Sequence, residues 1–76
     1  MNASQLDLLR IERGTGATQV TVTGSKGMMI ECDLLFINDQ RGVIVTAKFD
    51  MAHDLGATCN QVKYEVNRKL CAATRN

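Results

Sequence analysis

The side chains that could do covalent or metal chemistry are few and widely separated in this sequence. One histidine, His53, and three cysteines, Cys32, Cys59 and Cys71, are the candidates for a Cys–His nucleophile pair or for zinc ligands. A Cys–His pair needs a group that orients the imidazole and a site that binds an oxyanion, and no residue pattern here supplies either. The cysteines also lack the close C-x-x-C pair of structural zinc sites. We therefore expect no enzyme, no metal site and no cofactor.

The local pattern after residue 49 predicts two helices separated by a turn. Asp50 is a suitable N-cap for a helix that begins at Met51. Gly56 interrupts that helix, because glycine in a helix interior costs roughly 1 kcal/mol relative to alanine and commonly ends a helix. Thr58 can cap a second helix, with Gln61 reaching back in a capping-box arrangement.

A single helix from Asp50 to about Ala73 is the alternative interpretation. The apolar residues of this segment would then lie on or near one face and pack against the rest of the domain; they are Met51, Leu55, Val62, Val66 and Leu70. Gly56 would be a tolerated weak point or a place of close packing. The two interpretations have different functional consequences, since only the first predicts a helix-turn-helix.

The spacing A-x-x-L-G from Ala52 to Gly56, with a valine six residues later, resembles the helix-turn-helix of phage repressors, and the Cro repressors in particular. The resemblance is limited to the segment AHDLGATCNQVKYEVNRKL. It implies that the two helices cross at Ala52, that Leu55 and Val62 pack between them, and that a recognition helix runs from about Cys59 to Ala72.

The resemblance also implies which side chains contact DNA. Asparagine and glutamine match the edge of adenine, lysine matches guanine or phosphate, and a helix N-terminus attracts phosphate. The side chains implied to face DNA are Thr58, Cys59, Asn60, Lys63, Tyr64 and Asn67. We add Gln61 and Arg68 to the predicted nucleic-acid-binding set. After Gly56 the only acid is Glu65, so this segment is locally basic in a chain of net charge +1.

Two other nucleic-acid-binding families share parts of this pattern. In a ribbon-helix-helix protein GVIVTAKF would pair across a dimer and GATCNQVKYEVNRKL would be the second helix, but two further strands have no place in that fold. The double-stranded-RNA-binding domain has the same αβββα order of elements. Its lysine cluster at the start of the last helix is not present here.

The first fifty residues predict a helix followed by three strands. Ser4 can cap a helix that ends at Gly14, with Leu6, Leu9 and Leu8 as its buried stripe. Alternation of apolar and polar residues then predicts strands; these are Thr18–Thr23, Met28–Ile37 and Val43–Phe49. The five-residue loop NDQRG joins the last two strands and offers a glycine for a positive φ.

These elements predict one α+β domain with the order αβββ followed by one or two helices. A chain of 76 residues buries only about 60% of its unfolded surface, so we expect a homodimer, with the sheet edges available for contact. No signal peptide or membrane-spanning run is visible, and unpaired cysteines favour the reducing cytoplasm.

Two functions remain open at the level of sequence. The first is a small non-enzymatic DNA-binding regulator of the kind that phages and mobile elements encode. The second is a small phage-type interaction module, similar to anti-CRISPR proteins, that binds and inhibits a host protein complex. A module of this kind would use a sheet edge or the basic last helix, since cations also attract acidic protein partners.

Overall fold

The computed structural model describes residues 4–74 as a helix, a three-stranded antiparallel sheet and a second helix. The elements are α1 (Gln5–Thr15), β1 (Gln19–Lys26), β2 (Met29–Asn38), β3 (Arg41–Asp50) and α2 (Gly56–Thr74). This confirms the predicted αβββα order, with one C-terminal helix. Neither helix within residues 4–74 has the length and apolarity that are needed to cross a membrane.

The sheet buries one face, as the alternation of apolar residues predicts. The strand order is β1–β2–β3, and Leu34 lies between Val20 on β1 and Val45 on β3. Leu34 and Phe49 are completely buried. Both helices contribute to the same core, because each has residues in the buried cluster; the helical members are Ile11, Cys59 and Val62.

Helix α1 begins as predicted but ends later and buries a different face. The Asp7 N–H donates to Ser4 Oγ at 3.1 Å, and the left-handed residue that ends the helix is Gly16, not Gly14. Ile11 is completely buried, whereas Leu6 is 73% exposed and Leu9 38% exposed. The predicted Leu6–Leu9 stripe is therefore wrong. At about 100° per residue both leucines lie roughly 140–160° around the helix from Ile11.

Residues 51–55 form a turn and a short irregular segment, so the predicted helix from Met51 to Leu55 is wrong. Asp50 caps this turn and not a helix, because its Oδ1 accepts from the Ala52 N–H at 3.0 Å. The His53 N–H closes this turn by donating to the Asp50 carbonyl at 3.1 Å. Met51 and Leu55 are both buried, since the turn directs their side chains into the core without helical geometry.

Helix α2 is continuous from Gly56, so neither sequence interpretation gives its start correctly. The Gly56 N–H donates to Asp54 Oδ2 at 3.2 Å, and the first helical bond runs from the Cys59 N–H to the Leu55 carbonyl at 2.8 Å. Thr58 lies inside the helix and is not a cap. The Gln61 side chain donates to Glu65, one turn further along the helix. The predicted capping box between Thr58 and Gln61 is therefore wrong.

The β2–β3 connection is tighter than the predicted five-residue loop. Asn38 and Arg41 still pair with each other, which leaves Asp39 and Gln40 as the turn. The positive φ of 57° falls on Asp39 and not on the glycine; aspartate tolerates this left-handed region better than most side chains.

Candidate nucleic-acid interface

Four of the predicted DNA-contacting residues lie together on one exposed side of α2. Asn60, Lys63, Tyr64 and Asn67 follow the spacing i, i+3, i+4, i+7, which places them within a sector of about 100° on the helix surface. All four are exposed. We call this set the recognition stripe. It contains two amides, a cation and an aromatic hydroxyl, and no acid.

The other predicted residues lie elsewhere and have different partners. Arg68 Nη2 donates to Glu65 Oε1 at 2.6 Å, and Gln61 Nε2 donates to Glu65 Oε2 at 3.4 Å. The Arg68 guanidinium holds the pKa of the Glu65 carboxyl below its usual value. Thr58 is half-buried. Gln61 and Arg68 therefore form a separate, internally paired cluster around Glu65.

The resemblance to the phage repressors implies that Cys59 faces DNA, and this prediction is wrong. Its side chain is 5% exposed and lies between the two helices against Gly14. A Cβ built on Gly14 would lie 2.7 Å from Cys59 Sγ, so the helices approach closely here. The helix crossing implied at Ala52 is wrong, because Ala52 is exposed and lies in the turn before α2. The close approach is instead between α1 and α2 at Gly14.

The close approach of the helices creates an open cleft beside the recognition stripe. The cleft has a volume of about 450 Å³. Three cations line it: Arg10 and Arg13 from α1 and Lys63 from α2. Asn60 also lines it, and Asp54 supplies one carboxylate. We call this site the basic cleft. Because Lys63 and Asn60 belong to both features, the stripe and the cleft form one continuous surface.

The three cations of the basic cleft are not equally available to a ligand. Arg10 donates to the carbonyl oxygens of Met51 and His53 at 3.4 and 3.3 Å, so it holds α1 against the turn that precedes α2. Within residues 4–74, Arg13 and Lys63 have neither an ion-pair nor a hydrogen-bond partner. These two side chains can therefore bind an anion without breaking a hydrogen bond or an ion pair within the protein.

Sequence reasoning did not identify Arg10 and Arg13. The available signal is their i, i+3 spacing on a predicted helix, which places two cations on adjacent turns. The sequence does not state which helix faces them, and their joint role with Lys63 depends on the crossing of α1 and α2.

The potential catalytic and metal-binding side chains are dispersed in the structure. His53 is exposed, and its Nδ1 lies 2.8 Å from Asp50 Oδ2. The hydrogen bond from the Ala52 N–H, followed by this contact with His53, lowers the pKa of the Asp50 carboxyl. Among residues 4–74, no three His, Cys, Asp or Glu side chains come together as a group that could hold a metal ion.

The three cysteines should react with thiol reagents at very different rates. Cys71 is exposed, whereas Cys32 and Cys59 are buried, and burial raises the pKa of both buried thiols. Because the thiolate is the reactive species, we expect one rapid equivalent with Ellman's reagent in native protein and two more after denaturation. Cys71→Ser should remove the rapid equivalent. Any rapid equivalent that remains in that variant would contradict the burial of Cys32 and Cys59.

The sheet surface opposite the helices, which we call the outer sheet face, has a different character. Ile44 and Ile37 are each 56% exposed, and Leu35 beside Ile44 is half-buried. The acids Glu31 and Asp33 lie on the same face by strand alternation.

The two sides of the domain therefore present different groups. The helix side carries the basic cleft and the recognition stripe. The outer sheet face combines apolar side chains with the two acids and with Lys48, which lies opposite Glu31. The helix side is suited to a polyanion. Comparison with protein-family models, with curated proteins and with solved structures finds no match for this chain.

Proposed function

We propose that this protein is a small non-enzymatic DNA-binding regulator that uses the basic cleft and the recognition stripe. The observation that carries the proposal is the convergence of Arg13 and Lys63, which come from two helices, lack protein partners among residues 4–74 and line one cleft. Backbone phosphates require such cations, and they account for most of the non-specific affinity of DNA-binding proteins.

The recognition stripe supplies the second part of the binding mode. An α-helix fits the major groove of B-DNA, and the N-terminal half of such a helix commonly contacts the base edges. Asn60 lies in that half of α2 and can read adenine, while Lys63 reaches phosphate or guanine. Asn67, two turns further along the same side, is a second amide that can read adenine. Helix α2 would act as the recognition helix. Helix α1, with Arg13, would contact the backbone in place of the first helix of a helix-turn-helix.

The charge distribution favours approach from the helix side. On the outer sheet face Lys48 lies opposite Glu31 and Asp33 adds a second acid, whereas the recognition stripe has a cation and no acid. Asp54 is the one carboxylate in the basic cleft, and its Oδ2 already accepts the Gly56 N–H. The proposal thus places DNA across α1 and α2.

The first test measures DNA binding by fluorescence anisotropy at several salt concentrations in variants that each remove one cation. Lys63→Ala should weaken binding to all sequences and reduce the slope of log K against log salt by about 1, the value for loss of one phosphate contact. Arg13→Ala should do the same. Lys48→Ala is the matched control, because it removes an exposed cation from the sheet.

Asn60→Ala separates base recognition from phosphate contact. It should reduce the preference for a cognate site over random DNA while leaving the salt slope unchanged, because an amide neutralises no phosphate. Circular dichroism establishes that each variant is folded. Equal affinities for Lys63→Ala, Arg13→Ala and wild type would contradict the proposal, as would the absence of DNA binding at low salt.

A second candidate function is the inhibition of a host protein complex by direct binding. The exposed side chains of Ile37 and Ile44 favour it, because contiguous apolar patches on small proteins often mark interaction sites. A pull-down that recovers one stoichiometric protein partner, together with no salt-dependent DNA binding, would support this function over the first.

A further inference from the structure

The two edges of the sheet are unlike, and the difference concerns their ability to accept another strand. At the β3 edge, Lys69 Nζ donates to the Ile44 carbonyl at 2.8 Å, and α2 packs on β3. A cation on an edge is a common protection against strand addition. Strand β1 is the other edge of the sheet, and it carries no charge from Gln19 to Ser25.

The core extends to the β1 edge and is incomplete there. Along one cross-strand row, Val45 on β3 is 5% exposed and Leu34 on β2 is 0% exposed, whereas Val20 on β1 is only half-buried. In the next row, Val22 is also half-buried beside the completely buried Cys32. Apolar side chains placed beyond β1 would therefore continue an existing core.

We propose that β1 pairs antiparallel with β1 of a second copy of this chain, which joins two three-stranded sheets into one six-stranded sheet. A twofold axis makes the edge self-complementary. Opposed residues must lie on the same face of the sheet. With the axis at Thr21, Val20 of each copy lies opposite Val22 of the other, and the half-buried valines of both copies meet in one core.

The sequence of β1 is compatible with this pairing. It is rich in threonine and valine, which favour strands, and like charges do not oppose each other across the axis. A β-bulge between Val22 and Gly24 twists the second half of the strand, so the pairing is centred on the first half. This proposal does not depend on DNA binding, because no residue of β1 belongs to the basic cleft or to the recognition stripe.

Oligomeric state in two matched lysine variants tests the proposal. Thr21 and Thr46 both pair with Asp33 across the strands, and both are exposed, but they lie at opposite edges. In sedimentation analysis over a range of concentrations, wild type and Thr46→Lys should dimerise. Thr21→Lys should remain monomeric at the same concentrations, because its two lysines would face each other at the axis.

Distances between spin labels test the geometry independently. The labels are attached to Gln19→Cys or Thr46→Cys, each in a Cys71→Ser background. With strands about 4.8 Å apart and a rise of about 3.4 Å per residue, the backbones of the two Gln19 positions lie about 14 Å apart and those of the two Thr46 positions about 24 Å apart.

The outcomes separate this dimer from its alternatives. A wild type that is monomeric at all concentrations overturns the proposal, as does a Thr21→Lys variant that dimerises as strongly as wild type. A shorter distance between the Thr46 labels than between the Gln19 labels also overturns it, because that order indicates contact through the outer sheet face or the β3 edge.

Discussion

Phe49→Ala is expected to lower the free energy of unfolding by about 3–5 kcal/mol, the cost of truncating a fully buried aromatic side chain. Phe49 is 0% exposed and lies opposite Ile30 in the β2–β3 ladder. A domain of this length has a total stability of about 4–11 kcal/mol at 0.05–0.15 kcal/mol per residue. The substitution should therefore remove a large part of the stability of the fold.

The position of Phe49 explains why this loss is not easily repaired. The residue precedes the turn at residues 51–55, whose Met51 and Leu55 are also buried. The cavity would thus open where the sheet meets the start of α2. A rigid ladder on one side and the helix on the other limit the collapse of the surroundings, and limited collapse increases the cost.

Urea denaturation monitored by circular dichroism measures this effect against two controls. Phe49→Leu keeps most of the apolar volume and should cost clearly less. Ile44→Ala removes a comparable side chain from the exposed face of β3 and should change stability by less than about 1 kcal/mol. Equal losses in Phe49→Ala and Ile44→Ala would contradict the assignment of Phe49 to the core.

The strands could be predicted from sequence because each has one buried face. Val43, Val45 and Phe49 occupy alternate positions of one strand and are buried in the structure as expected, although the exposed Ile44 interrupts the apolar–polar alternation. A period of two is visible without knowledge of the partner strand. The face of α1 was harder to predict, because three leucines offered a plausible stripe and only packing against the sheet selected Ile11.

The segment from Asp50 to Thr58 shows how correct local signals can support a wrong element. Asp50 does accept a backbone N–H, and Gly56 does stand at a helix boundary. Asp50, however, caps a turn, and Gly56 begins a helix where we expected it to end one. Capping chemistry is shared by turns and helices, so a cap alone does not show which of the two follows it.

The candidate site was likewise predictable only where it lies on one element. Helical spacing alone brings Asn60, Lys63 and Asn67 together. The pairing of Arg68 with Glu65 is also local, at i, i+3, and could have been anticipated. Arg13 lies fifty residues from Lys63 in the chain, and its place in the basic cleft depends on the crossing at Gly14.

Gly14→Ala is expected to destabilise the protein although it replaces a glycine inside a helix. Alanine at an ordinary helix position gains about 1 kcal/mol over glycine. At Gly14 the new Cβ would lie 2.7 Å from Cys59 Sγ, which is closer than non-bonded atoms approach. Because Cys59 is buried, the helices must separate or the thiol must change rotamer, at a cost of about 1–3 kcal/mol.

A double-mutant cycle with Cys59→Ala tests this contact directly. In the Cys59→Ala background the sulfur is absent, so Gly14→Ala should recover its helix propensity and stabilise that variant. The two substitutions should therefore be coupled by about 1–3 kcal/mol in urea denaturation. Gly16→Ala is the matched control: its φ of 76° makes it costly, but nothing lies within 4 Å of its Cβ, so its effect should be independent of Cys59. Additive effects of Gly14→Ala and Cys59→Ala would mean that the helices do not meet here, and the basic cleft would then lose the contact that brings Arg13 to Lys63.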